Sequence, residues 1–253
     1  MIPIFFVADG IILDLEDSVP PDEKFAALAL VRRALLTIDF GGAESIVRIN
    51  NLDDIASLAP AEPDAFLIPK VDSAEQLWEI SEFLDEQDCS SALVAIIESA
   101  LGVERAFEIA TSTPRLVAMT LGVEDYLADI HATARHATNW ANSRIMNAAR
   151  AAEISPLASV ISVIDNDQTI QEYATEMKTL GFEGIGCIHP RQIAPAHRAF
   201  VPTPEELEFA EKVVTQFEEA LKEGTGAIAV SGKMVDAPVY RQAQQTLEWA
   251  ERG

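Results

Sequence analysis

The chain has 253 residues, 49% of them hydrophobic, with 41 acidic against 18 basic side chains and a formal charge of −23. That length and apolar content suit one barrel-sized domain with a sizeable core. The charge argues against nucleic acid and anionic membrane as partners, because the basic residues are scattered and their nearest cluster is Arg32-Arg33.

Short apolar runs, read as buried parallel strands, fall at Ile2–Val7, Ile11–Leu15, Ser45–Ile49, Ala65–Ile68, Leu93–Ile97, Leu116–Leu121, Ser159–Ile164 and Gly184–Ile188. Eight such runs match the strand number of a closed (β/α)8 barrel, the TIM barrel. Helix patterns alternate with them. Pro20-Pro21-Asp22-Glu23 reads as a first turn, and Ser73-Ala74-Glu75-Gln76 as a capping box ahead of Leu77, Ile80 and Leu84. Ile170, Tyr173, Met177 and Leu180 repeat the helical spacing, with Gly181 as C-cap. Thr203-Pro204-Glu205-Glu206 opens a helix whose stripe is Leu207, Ala210, Val213, Val214, Phe217 and Leu221. The expected division is a barrel over 1–201 and a C-terminal helical extension over 202–253.

One spacing conflicts with this plan. Only Ala8-Asp9-Gly10 separates the first two runs, whereas parallel neighbours need a crossover of about a dozen residues or more. Either the first run is not a barrel strand or the first βα unit is incomplete in this chain. Cys89 and Cys187 read as buried, reduced thiols. No signal peptide or membrane-length segment is visible, so a soluble cytoplasmic protein is expected.

Several strand runs end on a charge, and a (β/α) barrel keeps its chemistry at the carboxyl ends of its strands. Glu98, Asp125, Arg48 and Lys70 would share that rim, which suggests a divalent metal and an anionic substrate. Glu98 and Asp125 are the metal candidates, since Mg²⁺ takes one or two carboxylates and leaves positions for water and substrate. The alternative is two solvated charges at strand ends. Arg48 either grips a substrate carboxylate through paired hydrogen bonds or closes a structural ion pair at the rim. Lys70 reads as a rim lysine paired with a neighbouring acid, or as part of the site. Asp14, Glu16 and Asp17 stand too close to ionise together without cations, so a metal or its water shell would relieve them, unless they cap the next helix. His189 reads as structural, and His131 and His136 have the wrong spacing for one helix face.

Together these residues resemble the citrate lyase β-subunit-like branch of the HpcH/HpaI aldolase/citrate lyase family. The matching strings are Gly-Ile-Ile-Leu-Asp-Leu-Glu-Asp-Ser-Val (10–19), Val-Arg-Ile-Asn (47–50), Leu-Ile-Pro-Lys-Val (67–71) and Ile-Glu-Ser-Ala-Leu-Gly (97–102). They continue with Leu-Gly-Val-Glu-Asp-Tyr (121–126), Asn-Ala-Ala-Arg-Ala-Ala (147–152), Gly-Phe-Glu-Gly-Ile-Gly-Cys-Ile-His-Pro (181–190) and Gly-Lys-Met-Val-Asp-Ala-Pro (232–238). They stand in family order from residue 10 onward.

The resemblance implies a TIM barrel with a C-terminal lid, assembled as homotrimers or hexamers. It implies Mg²⁺ on Glu98 and Asp125, Arg48 on the carboxylate of a keto- or hydroxy-acid, and Glu16, Asp17 and Lys70 beside the substrate. It implies a Claisen-type carbon–carbon lyase acting on a 3-hydroxyacyl-CoA of the citryl-, malyl- or citramalyl-CoA kind, with coenzyme A as part of the substrate. Asp236 would act as acid/base in a neighbouring subunit's site; without the resemblance it reads as a turn residue before Pro238. A thioester hydrolase of malyl-CoA-like substrates and a non-catalytic accessory barrel are the alternatives. Asp17 stands where the pyruvate aldolases of the family carry a histidine, which argues against their mechanism. At the start, Ile4-Phe5-Phe6-Val7 resembles the family's first strand and Ala8-Asp9-Gly10 the end of the helix after it, so about one helix-loop unit is missing by comparison.

Overall fold

The computed structural model describes residues 8–252, with side chains over 8–250. The chain divides into two compact units, Met1–Ala196 and His197–Gly253. The strand expected at Ile2–Val7 lies outside the described residues.

In the first unit, seven strands pair in sequence order, every pair parallel: β1 (Gly10–Asp14), β2 (Glu44–Arg48), β3 (Ala65–Ile68), β4 (Ala92–Ile97), β5 (Leu116–Leu121), β6 (Ser155–Ala158) and β7 (Gly184–Ile185). The crossovers carry α1 (Lys24–Thr37), α2 (Leu52–Leu58), α3 (Ala74–Glu86), α4 (Ala100–Glu104), α5 (Ala106–Ala110), α6 (Val123–Asp129), α7 (Asn139–Ala151) and α8 (Asp167–Leu180). The capping read at Ser73 is present, its side chain accepting from the Gln76 amide, and Gly181 caps α8 at φ +101°. Helix α9 (Ile193–Phe200) spans the division between the units.

The period of two along the strands sorts their side chains into two layers. Val47, Ile49, Phe66, Ile68, Leu93, Ala95, Ile97, Met119 and Leu121 form one core with helix residues such as Leu77, Leu84, Ile109 and Ile145. The alternate positions, Ala65, Leu67, Val94, Ile96 and Ala118, pack among themselves on the other face, as the interior of a barrel does. Continuing that inner row past the apolar residues leads to Arg48 after Ile46 and to Glu98 after Ile96. The site is thus placed by strand register.

Two strand expectations shift. The apolar stretch Ser159–Ile164 is loop, and the strand is Ser155–Ala158 just before it. The run Gly184–Ile188 contributes only its first two residues. One side chain explains both. Gln192, 1% exposed, donates through Nε2 to the Ile161 and Val163 carbonyls at 2.7 and 2.8 Å. Its Oε1 accepts from the Ile188 and His189 amides at 2.8 and 3.1 Å. Backbone groups that would otherwise need a ladder are satisfied by this amide instead. Because β7 ends at Ile185, Cys187 lies beyond it and is exposed, against the expectation of a buried thiol; Cys89 is buried.

The second unit holds α10 (Pro204–Lys222), an antiparallel hairpin of β8 (Ile228–Val230) and β9 (Lys233–Val235), and α11 (Ala237–Arg252). Thr203 and Glu206 form the expected capping box, and Ala210, Val213, Phe217, Val230, Val235 and Ala243 make a small core. Among the described residues no helix is long and apolar enough to cross a membrane.

Candidate functional site

Asp14 and Arg48 are register partners on adjacent strands, so their side chains meet at the carboxyl end of β1 and β2. Arg48 donates from Nε and Nη2 to the two Asp14 oxygens at 2.7 and 2.6 Å, a bidentate pair. Its Nη1 lies 3.0 Å from Glu16 Oε2. Lys70 Nζ reaches Glu16 Oε1 at 2.5 Å and stands 3.9 Å from Asp17. Burial alone would raise Asp14 and Glu16, but the hydrogen bonds they accept outweigh it. Arg48 holds the Asp14 carboxyl well below the usual carboxylate range, and Lys70 with Arg48 lowers Glu16. Asp17, with burial and Glu16 against it, shifts upward. The crowding of acids is therefore relieved by a guanidinium and an ammonium. Neither a metal nor a helix cap is needed for Asp14 and Glu16.

Lys70 reaches this cluster from an unusual backbone. Its φ is +53°, a region that costs a lysine about 1–3 kcal/mol. That conformation sends the side chain to Glu16 while the Lys70 amide donates to Glu98 Oε1 at 3.1 Å. One residue therefore joins the two halves of the rim.

Glu98 follows β4 and is 6% exposed. Asp125 lies in the first turn of α6, after β5, and is exposed. The register Ile97 to Leu121 brings the two strand ends together and sets the carboxyl of Asp125 beside that of Glu98. Burial first, and Asp125 second, push the Glu98 carboxyl up to about 7. Gly122 makes room for it: a Cβ there would stand 2.6 Å from Glu98 Cγ and 3.1 Å from Oε2. Among the described residues no lysine or arginine side chain bonds to this carboxylate, and no set of three or more His, Cys, Asp and Glu side chains is arranged around an ion. Two hard oxygen donors, one buried and one open to solvent, fit a Mg²⁺ ion that keeps most of its other ligands from water or substrate.

Lys24 is a site residue that pattern reading passed over. Its ammonium donates to the Leu15 and Glu16 carbonyls at 2.6 and 2.7 Å and to Asn50 Oδ1 at 2.8 Å, so it pins the loop that carries Glu16. A signal was available, since a lysine in the first turn of a helix opposes the dipole and needs a reason to be there. His189 is structural as expected, its Nδ1 accepting from the Arg191 amide. Asp236, in the second unit, heads α11; its Oδ1 accepts from the Val239 amide at 3.4 Å.

The family model described as HpcH/HpaI aldolase/citrate lyase matches residues 2–190. The chain belongs to the HpcH/HpaI aldolase/citrate lyase family. It is 36% identical to the citrate lyase subunit beta of Leuconostoc mesenteroides subsp. cremoris, over 97% of this chain and 86% of that protein. It is 35% identical to a (3S)-malyl-CoA thioesterase of Cereibacter sphaeroides, over 96% of this chain and 87% of that protein. Among solved structures it is similar to Mycobacterium tuberculosis CitE in complex with magnesium, acetoacetate and coenzyme A, with 31% identity, a TM-score of 0.83, and 96% and 90% of the two chains covered. The parallel, curled sheet with its helices is thus the TIM-barrel-like fold of this family.

Proposed function

We propose that this member of the HpcH/HpaI family is a Mg²⁺-dependent carbon–carbon lyase of 3-hydroxyacyl-CoA thioesters. The observation that carries the reading is the Glu98–Asp125 pair, a buried acid beside a second acid to which, among the described residues, no lysine or arginine side chain is bonded, joined through Lys70 to an arginine–carboxylate cluster. It is supported by two relatives, a citrate lyase subunit at 36% identity and a CitE structure that holds magnesium and coenzyme A.

In this reading Glu98 and Asp125 hold Mg²⁺, which when bound polarises the oxygens of the keto- or hydroxy-acid and stabilises enolate charge. Arg48 has N–H donors beyond those given to Asp14 and Glu16, and these orient the acid's carboxylate. Asp14 and Glu16 hold the guanidinium in place, so Glu16 positions Arg48 and Lys70 and does not touch an anion itself. Lys70, with a half-exposed side chain, and Asp17 line the approach. As the 3-hydroxyl gives its proton to water and becomes the keto oxygen, the bond between the α- and β-carbons breaks, its electron pair passes to the acyl thioester as an enolate, and protonated Asp236 of a neighbouring subunit in a homotrimer or hexamer gives its proton to the α-carbon.

Asp236→Asn tests the assignment, because asparagine keeps the helix-capping acceptor while losing the acid. Turnover should fall about a hundred- to ten-thousand-fold with Mg²⁺ binding unchanged; full activity would remove Asp236 from the mechanism. A second reading, hydrolysis of a malyl-CoA-like thioester, is favoured by the thioesterase relative. Assaying malyl- and citramalyl-CoA for released acyl-CoA plus keto-acid, against free CoA, separates the two.

A further inference from the structure

The loop after β1 is tied to the end of β2 through one lysine. Leu15, which separates Asp14 from Glu16, gives its amide to the Arg48 carbonyl at 2.9 Å. Its own carbonyl accepts twice, from Lys24 Nζ at 2.6 Å and from Asn50 Nδ2 at 2.8 Å. The Glu16 carbonyl also accepts twice, from Lys24 Nζ at 2.7 Å and from the Val19 amide at 3.0 Å. Lys24 gives its third N–H to Asn50 Oδ1 at 2.8 Å. Asn50 is anchored in turn, its amide and its Nδ2 both donating to Oδ2 of buried Asp54 at 2.8 Å. Lys24 is thus bonded to neutral oxygens, with no ion pair among the described residues. An ammonium has three donors, and all three are spent, so Lys24 has none left for a ligand. What it holds is the backbone of Glu16, whose carboxylate faces Arg48 Nη1 at 3.0 Å and Lys70 Nζ at 2.5 Å.

We propose that Lys24, with Asn50 and Asp54 behind it, is a positioning strut for substrate binding. It fixes Glu16, and Glu16 fixes where Arg48 and Lys70 present their remaining N–H groups to the acid's carboxylate. This role rests on Arg48 as the holder of that carboxylate, as read above. Removing the ammonium leaves each carbonyl one donor, Asn50 for Leu15 and Val19 for Glu16. The fold therefore survives Lys24→Met, while the Glu16 carboxylate is released. A carboxylate is gripped alike in substrate and transition state, so the loss falls on KM and spares kcat.

Calorimetry in saturating Mg²⁺ tests this, using whichever of glyoxylate, pyruvate and oxaloacetate binds wild type most tightly, with malyl- and citramalyl-CoA kinetics alongside. Lys24→Met should weaken keto-acid binding and raise KM about tenfold, with kcat within about twofold and Mg²⁺ affinity unchanged. Lys24→Arg, which keeps charge and donors, should recover most of the loss. Asn50→Ala should weaken keto-acid binding too, and adding Lys24→Met to it should cost little more, since both break one strut. Wild-type keto-acid affinity in Lys24→Met, with Arg48→Lys weakened, would overturn the strut alone. So would a Lys24→Met loss that Lys24→Arg does not recover, or one shared by Mg²⁺ binding. No keto-acid binding to wild type, or unchanged binding in Arg48→Lys, would overturn the reading of Arg48 and the strut with it.

Discussion

The two sides of the rim are built from the same residue types to opposite ends. Around β1 and β2, two carboxylates are matched to a guanidinium and an ammonium, and the partners of Asp14 and Glu16 leave little unsatisfied. Around β4 and β5, two carboxylates stand together, and Lys70 relieves Glu98 only through its backbone amide and the more distant charge of its ammonium, which is bonded to Glu16. The first side is finished without a ligand and can act as a fixed template. The second is balanced only by a proton or a cation. The difference is why the proposed ion is assigned to the acids the fold has left unpaired, and not to the denser acidic cluster of residues 14–17.

The largest effect that would break this contrast is at Glu98. Glu98→Gln removes one of the two proposed ligands, and Mg²⁺-dependent turnover should fall about a thousand-fold, within the range for losing a major electrostatic stabiliser. Steady-state kinetics across a Mg²⁺ series would check it. Gly122→Ala, which drives a methyl group into Glu98 Cγ, should weaken Mg²⁺ binding by roughly tenfold and cost about 1–3 kcal/mol in urea unfolding. Retained affinity there would mean that the Glu98 carboxyl is not held where the ion binds.

On the paired side the effects are smaller. Arg48→Lys loses the fork to Asp14, so KM for the acid should rise roughly tenfold, with a stability loss of about 1–2 kcal/mol. The last test sets the two sides against each other by pH. Asp14 has a lowered carboxyl pKa, so its contribution is present above the ordinary carboxylate range and is lost as pH falls below about 4. Glu98 has a raised one, so in metal-free protein its contribution is present below about 4.5 and is lost as pH rises through about 7. Melting curves from pH 2 to 8 should show both slopes, the acid one steepest at the low end. Asp14→Asn should flatten the acid limb, Glu98→Gln the neutral one, and Mg²⁺ should raise the melting temperature more at pH 8 than at pH 6.

Much of this was legible in the sequence because a strand period of two carries a charge past an apolar row and onto the rim. Arg48 after Ile46 and Glu98 after Ile96 are read that way, and strand β5 ends as an apolar run just ahead of Gly122 and Asp125. Strand β6 was not legible, since Pro156 lies within it and proline argues against a central strand. The loop after it is richer in β-branched residues than the strand itself. What Gln192 satisfies was hidden for another reason: it bonds backbone groups about thirty residues away, and no local pattern reports that. The pairing of Arg48 with Asp14 needed the register of β1 on β2, which sequence spacing does not supply.

Calorimetric titration of Mg²⁺ into wild type, Glu98→Gln and Asp125→Asn tests the unpaired acids most directly. One ion should bind per wild-type chain, and each substitution should weaken binding at least tenfold while the fold persists. Equal affinity in all three proteins would contradict the account, because the ion would then sit elsewhere than on these two carboxylates.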